Sequence, residues 1–296
     1  MSNAGTLDAE HPQGPLQPPG DTTGLFGVFR RRYLLGLLVR KELRVRYQAS
    51  VLGLAWSYIK PLIRFMSYVL VVGYVIGLKN LEHYPYHVFA GMMIVSFFSE
   101  TLNAGTKSVV KNRSLVRKMS VPREMFPVAS LLVTGYHMIP QYIILIIACL
   151  AVGWNLDLVG LVAGLLSVSI VISFSLAVSL AFSALNVLLR DFQNFAETIS
   201  QLIMWTTPMI YPFELIASRT HGNWIEQLYL ANPVAEGVIL AQRCFWSPTL
   251  SDPDAAVFPD HLLLRGFVTL IACLILVYGA QRLFSRLEGK FAEQMM

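Results

Sequence analysis

The chain has 296 residues, 55% of them hydrophobic and only 14% charged, with a formal net charge of +5 at pH 7. Its mean hydropathy is +0.55, which argues against one or two ordinary soluble domains and for a bundle of membrane helices. The cations gather in three zones, 30–46, 107–123 and 282–290, beside apolar runs. There they are explained by cytoplasmic retention and anionic lipid headgroups rather than by nucleic acid.

Residues 1–24 are rich in Pro, Gly and Thr and lack the basic start and apolar stretch of a signal peptide. They read as a disordered cytosolic tail. In the amphipathic region 25–52, Leu35, Leu38, Val39 and Leu43 follow the i, i+3, i+4, i+8 spacing of one helical face, while Arg40, Lys41 and Arg44 project from the other. This predicts a helix lying in the membrane interface with its cations on lipid phosphates. The plain alternative is a solvated helix packed on protein.

From residue 53 to about 290 the pattern predicts an all-α polytopic domain with six transmembrane helices, at 60–78, 86–105, 125–152, 158–189, 195–210 and 262–284. The charge bias then puts both termini in the cytoplasm. Between the second and third spans lies KSVVKNRSLVRKMSVP, residues 107–122, in which Val109, Val110, Leu115, Val116 and Met119 alternate with Lys111, Arg113, Arg117 and Lys118. It reads as a short amphipathic helix closed by Pro122, either a membrane-surface helix or a peg for a cytosolic partner. The outer stretch 211–259 holds apolar pieces at 225–230 and 234–240, punctuated by Pro212, Pro233 and Pro248. Pieces that short cannot span, so re-entrant or surface-lying helices are expected.

No G-x-x-x-x-G-K-[ST] phosphate loop occurs, the six histidines show no metal-ligand spacing, and no catalytic constellation stands out. No cofactor or metal is expected on this chain. The three cysteines, Cys149, Cys244 and Cys273, suggest buried thiols rather than a disulfide framework. In the first span, helical rotation puts Trp56, Lys60, Ser67 and Tyr74 on one stripe with Arg64 beside it, and Tyr58 and Phe65 opposite. Polar groups at membrane depth normally face a cavity or the bundle interior, and aromatic faces suit a sliding sugar polymer. Interfacial enrichment of Trp and Tyr and snorkelling of Lys60 are the bland counterparts. Glu100, in the second span, is a candidate partner for Arg64 or a carboxylate near the cytosolic end.

Three stretches carry a family resemblance: YQASVLGLAWSYIKPL at 47–62, NRSLVRKMSVPREMFP at 112–127, and the NVLLRD turn with the TTPMIYP ending inside 186–212. In order and spacing they resemble membrane subunits of ABC-2 type polysaccharide exporters, over nearly the whole chain outside the tail. Those proteins export O-antigen, teichoic acid and related polymers on polyprenyl phosphate or pyrophosphate carriers. The Pro-rich tail and local wording look closest to mycobacterial members that export cell-wall galactan. The resemblance implies a homodimer in the bacterial plasma membrane with two ATP-binding cassette subunits, which bind the ATP and Mg. It also implies that the stretch near 35–46 is the interfacial helix, that 108–120 contacts the ATPase, and that pieces within 213–244 are re-entrant gate helices. Lys60 and Arg64 make the first-span stripe more basic than a neutral sugar path requires, which suits a carrier pyrophosphate at the cytosolic mouth. Two other readings stand beside this one: an ABC-2 exporter of a drug or lipid, and a membrane transferase acting on lipid phosphates through Lys60, Arg64 and Arg113.

Overall fold

The computed structural model describes residues 24–47, 55–75, 77, 81–118, 121–155, 157–220 and 223–291. Among them the protein is helical throughout, without strands. In chain order the helices are α1 (Gly24–Arg30), α2 (Arg32–Tyr47), α3 (Trp56–Tyr68), a π-helical continuation (Val69–Val75), α4 (Tyr84–Lys111), α5 (Arg113–Lys118), α6 (Met125–Ala151), α7 (Leu158–Leu188), α8 (Phe192–Trp205), α9 (Glu214–Thr220), α10 (Trp224–Leu230), α11 (Pro233–Phe245) and α12 (Leu262–Glu288). The predicted tail falls almost wholly outside the described residues.

Five helical stretches are long and apolar enough to cross a membrane: Tyr58–Val75, Tyr84–Lys111, Met125–Ala151, Leu158–Leu188 and Leu262–Glu288. The stretch expected as a fifth span of six, 195–210, instead forms α8, whose 14 residues cover only about 21 Å at 1.5 Å per residue. Thr206 to Tyr211 then leave the helix, and side chains secure their backbone. Gln242 donates to the Pro208 carbonyl at 2.7 Å, Tyr84 to that of Ile210 at 2.8 Å, and Tyr211 back to that of Trp205 at 3.0 Å. Irregular backbone in a membrane bundle persists only where protein groups satisfy it in this way.

Helix α4 is the hub: 72% of its most apolar window is buried, against 11% for the α3 and α12 windows. Small residues let neighbours close on it, as membrane helix packing requires. A Cβ on Gly105 would meet Ser179 of α7 at 2.6 Å, and one on Gly91 would meet the Met209 backbone at 3.0 Å. Hydroxyls and amides stitch the same seam, with Ser179 donating to the Thr101 carbonyl at 3.1 Å and Asn186 to that of Thr106 at 3.1 Å. Helix ends follow local chemistry. Asp157 caps α7 by accepting from the Gly160 N–H at 2.8 Å. Gly153, at φ 91°, closes α6 in a Schellman motif, its N–H on the Leu150 carbonyl and that of Trp154 on Cys149. All three cysteines are buried free thiols.

The segment 211–259 holds more helix than its apolar pieces suggested. The piece expected at 234–240 is the centre of α11, which begins behind the Asn232 cap and Pro233 and lies enclosed, with Val234, Glu236, Val238, Ile239 and Leu240 fully buried. Its end is pinned by Arg243, paired with Asp157 at 2.8 Å, and by Trp154, which donates to the Cys244 carbonyl at 3.0 Å.

Candidate functional site

At the end of the bundle where the basic zones converge, α2, α3, α4, α6 and α8 surround a cavity of about 950 Å³. Its inner wall mixes apolar side chains, among them Val95, Phe126, Val133 and Trp205, with hydroxyls and amides. Ser96, Ser99 and Asn103 come from α4, Ser130 and Thr134 from α6, and Ser200 and Gln201 from α8. Asn103 ties two walls together, its amide donating to the Ser99 carbonyl and to the Ser200 hydroxyl, both at 2.8 Å.

The cavity's rim is charged, with Arg46, Arg64, Lys107 and Lys111 as cations and Glu42, Glu100 and Glu197 as carboxylates. Each carboxylate bridges two helices. Glu42 of α2 meets Lys111 of α4 at 2.6 Å, Glu100 of α4 meets Arg46 of α2 at 3.4 Å, and Glu197 of α8 meets Lys107 of α4 at 2.9 Å. A further contact joins Lys41 of α2 to the side chain of Asn112, the residue that caps α4, at 2.7 Å. Among the described residues Arg64 has no carboxylate partner. Glu100, a candidate partner for it from sequence, pairs instead with Arg46 of α2.

The first-span stripe is brought together only in part. Arg64 lines the cavity, whereas Trp56, Lys60, Ser67 and Tyr74 do not. Lys60 sits 5.8 Å from the Trp56 ring centroid, and Trp56 and Tyr74 are 43% and 64% exposed on the outside of the chain. The other face does pack inward. Phe65 meets Phe89 edge-on at 5.1 Å, and Tyr58 and Phe65 line an apolar hollow of about 480 Å³ against α4 and α6.

The stretch read as one amphipathic helix over 107–122 divides. Its first five residues continue α4, so Val109 is fully buried in the bundle and not available as a partner anchor, while Lys111 pairs with Glu42 with its side chain still 57% exposed. Only Arg113–Lys118 form the separate helix α5. Leu115 and Val116 pack inward on the cluster containing Val28, Leu35 and Phe284, which leaves Arg113 and Ser114 exposed. The side chains of Arg117 and Lys118, and all of Met119, lie outside the described residues. On α2, Arg40 and Arg44 are exposed, while Leu35 and Leu38 are buried in the same cluster. Opposite them Phe29, Tyr33 and Leu37 form a second, exposed apolar stripe.

A match to the family described as ABC-2 type transporter covers residues 33–245, and with them every wall of this cavity. The chain belongs to the ABC-2 type transporter family. It is thus a multi-pass membrane protein of a transport family. Among curated proteins it is similar to the O-antigen export system permease protein RfbA of Myxococcus xanthus, 26% identical over 272 residues, covering 90% of this chain and 97% of that protein. Two O-antigen export system permease proteins RfbA of Klebsiella pneumoniae are 25% and 26% identical over 265 residues, each covering 88% of this chain and 95% of theirs.

Sequence reasoning missed Glu42, Lys107, Asn103 and Glu197 as cavity residues. Glu197 did carry a signal, a lone acid in a stretch read as a span. Glu42 carried none, since its partner is 69 residues away.

Proposed function

We propose that this chain is the membrane subunit of an ATP-driven exporter that moves a polysaccharide linked to a polyprenyl phosphate or pyrophosphate across the plasma membrane. The observation that carries this reading is the cavity at the basic end, with its hydroxyl and amide wall and cationic rim. Sugars need shallow, exchangeable hydrogen bonds, and a phosphate-bearing carrier needs cations at the mouth. The full-length similarity to O-antigen export permeases supports the same substrate class. In this reading the basic end is cytosolic, and α8 with the Thr206–Tyr211 turn serves as the fifth of six crossings. Helices α9 to α11 form the outer, re-entrant part. The exposed face of α3 and its π-helical continuation, carrying Trp56, Lys60, Ser67 and Tyr74, meets a second copy and lines the path between the two. Helix α5 contacts the ATP-binding subunit, which supplies ATP and Mg, and Arg40 and Arg44 rest on lipid phosphates. A transferase would need a catalytic acid paired with a base beside Arg64, and among the described residues of the cavity Glu100 has no second carboxylate paired with it for that role.

The test is co-expression with the ATP-binding subunit and measurement of ATP hydrolysis in nanodiscs. Addition of a polyprenyl-linked glycan should change the hydrolysis rate, and a free glycan of the same length should not. Equal responses to both, or a response only to unglycosylated amphiphiles, would contradict the reading.

A further inference from the structure

The rim of the cavity holds four cations against three carboxylates, and all three carboxylates are engaged by cations on other helices. These contacts differ in solvent access. The pairs Arg46–Glu100 and Lys107–Glu197 have side chains 40–48% exposed, whereas Glu42 is 16% exposed and also accepts from the Asn112 amide at 3.5 Å. Exposed pairs of the first kind contribute little, because water solvates both partners well once they separate. A phosphate oxyanion offers the same cations more charge and more acceptor atoms, in charge-assisted hydrogen bonds roughly twice as strong as neutral ones.

We infer that Glu100 and Glu197 are exchangeable stand-ins for a phosphate ligand. They hold Arg46 and Lys107 at the cavity until an anionic headgroup displaces them, and Arg64, which has no carboxylate partner among the described residues, makes the first contact. The headgroup is a phosphate monoester or diphosphate. This rests on the reading of the cavity as the loading site for a phosphate-linked carrier, and it adds a function for the acids. They keep α2 and α8 drawn to α4 while the site is empty, and they set a threshold that a weaker anion does not pass. Glu42, the least exposed of the three, stays on Lys111 and keeps α2 in place during the exchange.

The test uses the full chain in phosphatidylcholine nanodiscs. One arm titrates inorganic pyrophosphate, and the other compares nanodiscs with and without a few per cent of a long-chain polyprenyl phosphate, which separates a free anion from a lipid headgroup. Glu100→Gln and Glu197→Gln are each expected to tighten binding about two- to fivefold, because each removes a weakly held competitor for its cation. Arg64→Gln is expected to weaken binding about tenfold or more. Because the exchanged pairs are exposed, these variants should keep the wild-type melting temperature, which is measured alongside. If the wild type binds and Arg64→Gln weakens it, but the Glu variants bind no tighter, the stand-in role is overturned and the loading site survives. If neither probe binds the wild type or any variant, the loading site itself is overturned.

Discussion

Gly105 lies where α4 crosses α7, and replacing it by alanine tests whether α4 is held as the hub of the bundle. The new Cβ would sit 2.6 Å from both Cβ and Oγ of Ser179, about 1 Å inside the usual carbon–carbon contact. Neither helix can yield freely. Helix α4 is backed by α6 and α11, and Ser179 is itself held by the Thr101 carbonyl. The overlap should therefore fall at the upper end of the overpacking range, about 2–3 kcal/mol, offset by about 1 kcal/mol from the better helix propensity of alanine. The net loss is about 1–2 kcal/mol, a drop of roughly 2–8 °C in melting temperature. Ser179→Gly removes both clashing atoms but forfeits a hydrogen bond and adds a helical glycine, so alone it also destabilises by about 1–2 kcal/mol. The decisive quantity is the coupling. Thermal unfolding of the chain in detergent should show Gly105→Ala/Ser179→Gly more stable than the sum of the single changes by about 2 kcal/mol. Additivity within about 0.5 kcal/mol would refute the close crossing, and with it the placement of Glu100, Lys107 and Lys111 on one rigid wall.

Four further outcomes follow from named residues. Arg113→Glu reverses charge on the exposed side of α5 and should weaken co-purification of the ATP-binding subunit about tenfold, more at low salt; unchanged recovery would remove α5 from that interface. Trp56→Ala and Tyr74→Ala should slow export without lowering the melting temperature, since both rings are exposed, whereas Phe65→Ala should lower it by removing the Phe89 contact; export unaffected by the first two would place the path elsewhere. A cysteine at Ser218 should react with an impermeant maleimide from outside intact cells, while a reporter appended to the C-terminus registers as cytosolic; the reverse would invert the topology. For Asp157, burial pushes the carboxyl pKa up, but the Gly160 N–H and the Arg243 guanidinium outweigh it and hold the group below the ordinary carboxylate range. A depressed value means its stabilising effect is present above the unfolded pKa of about 3.9 and is lost as pH falls through the folded one. Asp157→Asn should therefore destabilise the protein near pH 7 and have progressively less effect below about pH 4; an equal loss at both pH values would show that its charge plays no part.

The long helices were legible because membrane crossing is written in local composition. The runs at 125–152, 158–189 and 262–284 lie within a few residues of α6, α7 and α12. Where the reading went astray, the deciding partner was distant. Lys107 and Lys111 read as the start of a separate amphipathic helix after the second span, yet α4 runs through them, and Glu197 and Glu42, 90 and 69 residues away in sequence, take up their charges. The fifth crossing looked continuous because Leu202, Ile203 and Met209 keep the local hydropathy high. The helix stops at Trp205 because Gln242 and Tyr84 offer hydrogen bonds to the backbone beyond it. The stripe on α3 was legible as a face, since helical rotation alone separates Trp56 and Tyr74 from Tyr58 and Phe65. Its destination was not. Only Arg64 reaches the cavity, which is enclosed mainly by α2, α4, α6 and α8, and a single-helix projection carries no information about those walls.

The most direct measurement is transport itself. Proteoliposomes containing this chain and its ATP-binding subunit would be loaded with a fluorescent polyprenyl-pyrophosphate-linked glycan, with the glycan's accessibility to an impermeant glycosidase followed after adding ATP. ATP-dependent movement of the glycan from the leaflet facing the ATP-binding subunit to the opposite one is the predicted result. Movement without ATP, or none with ATP while an unglycosylated amphiphile is carried across, would contradict it.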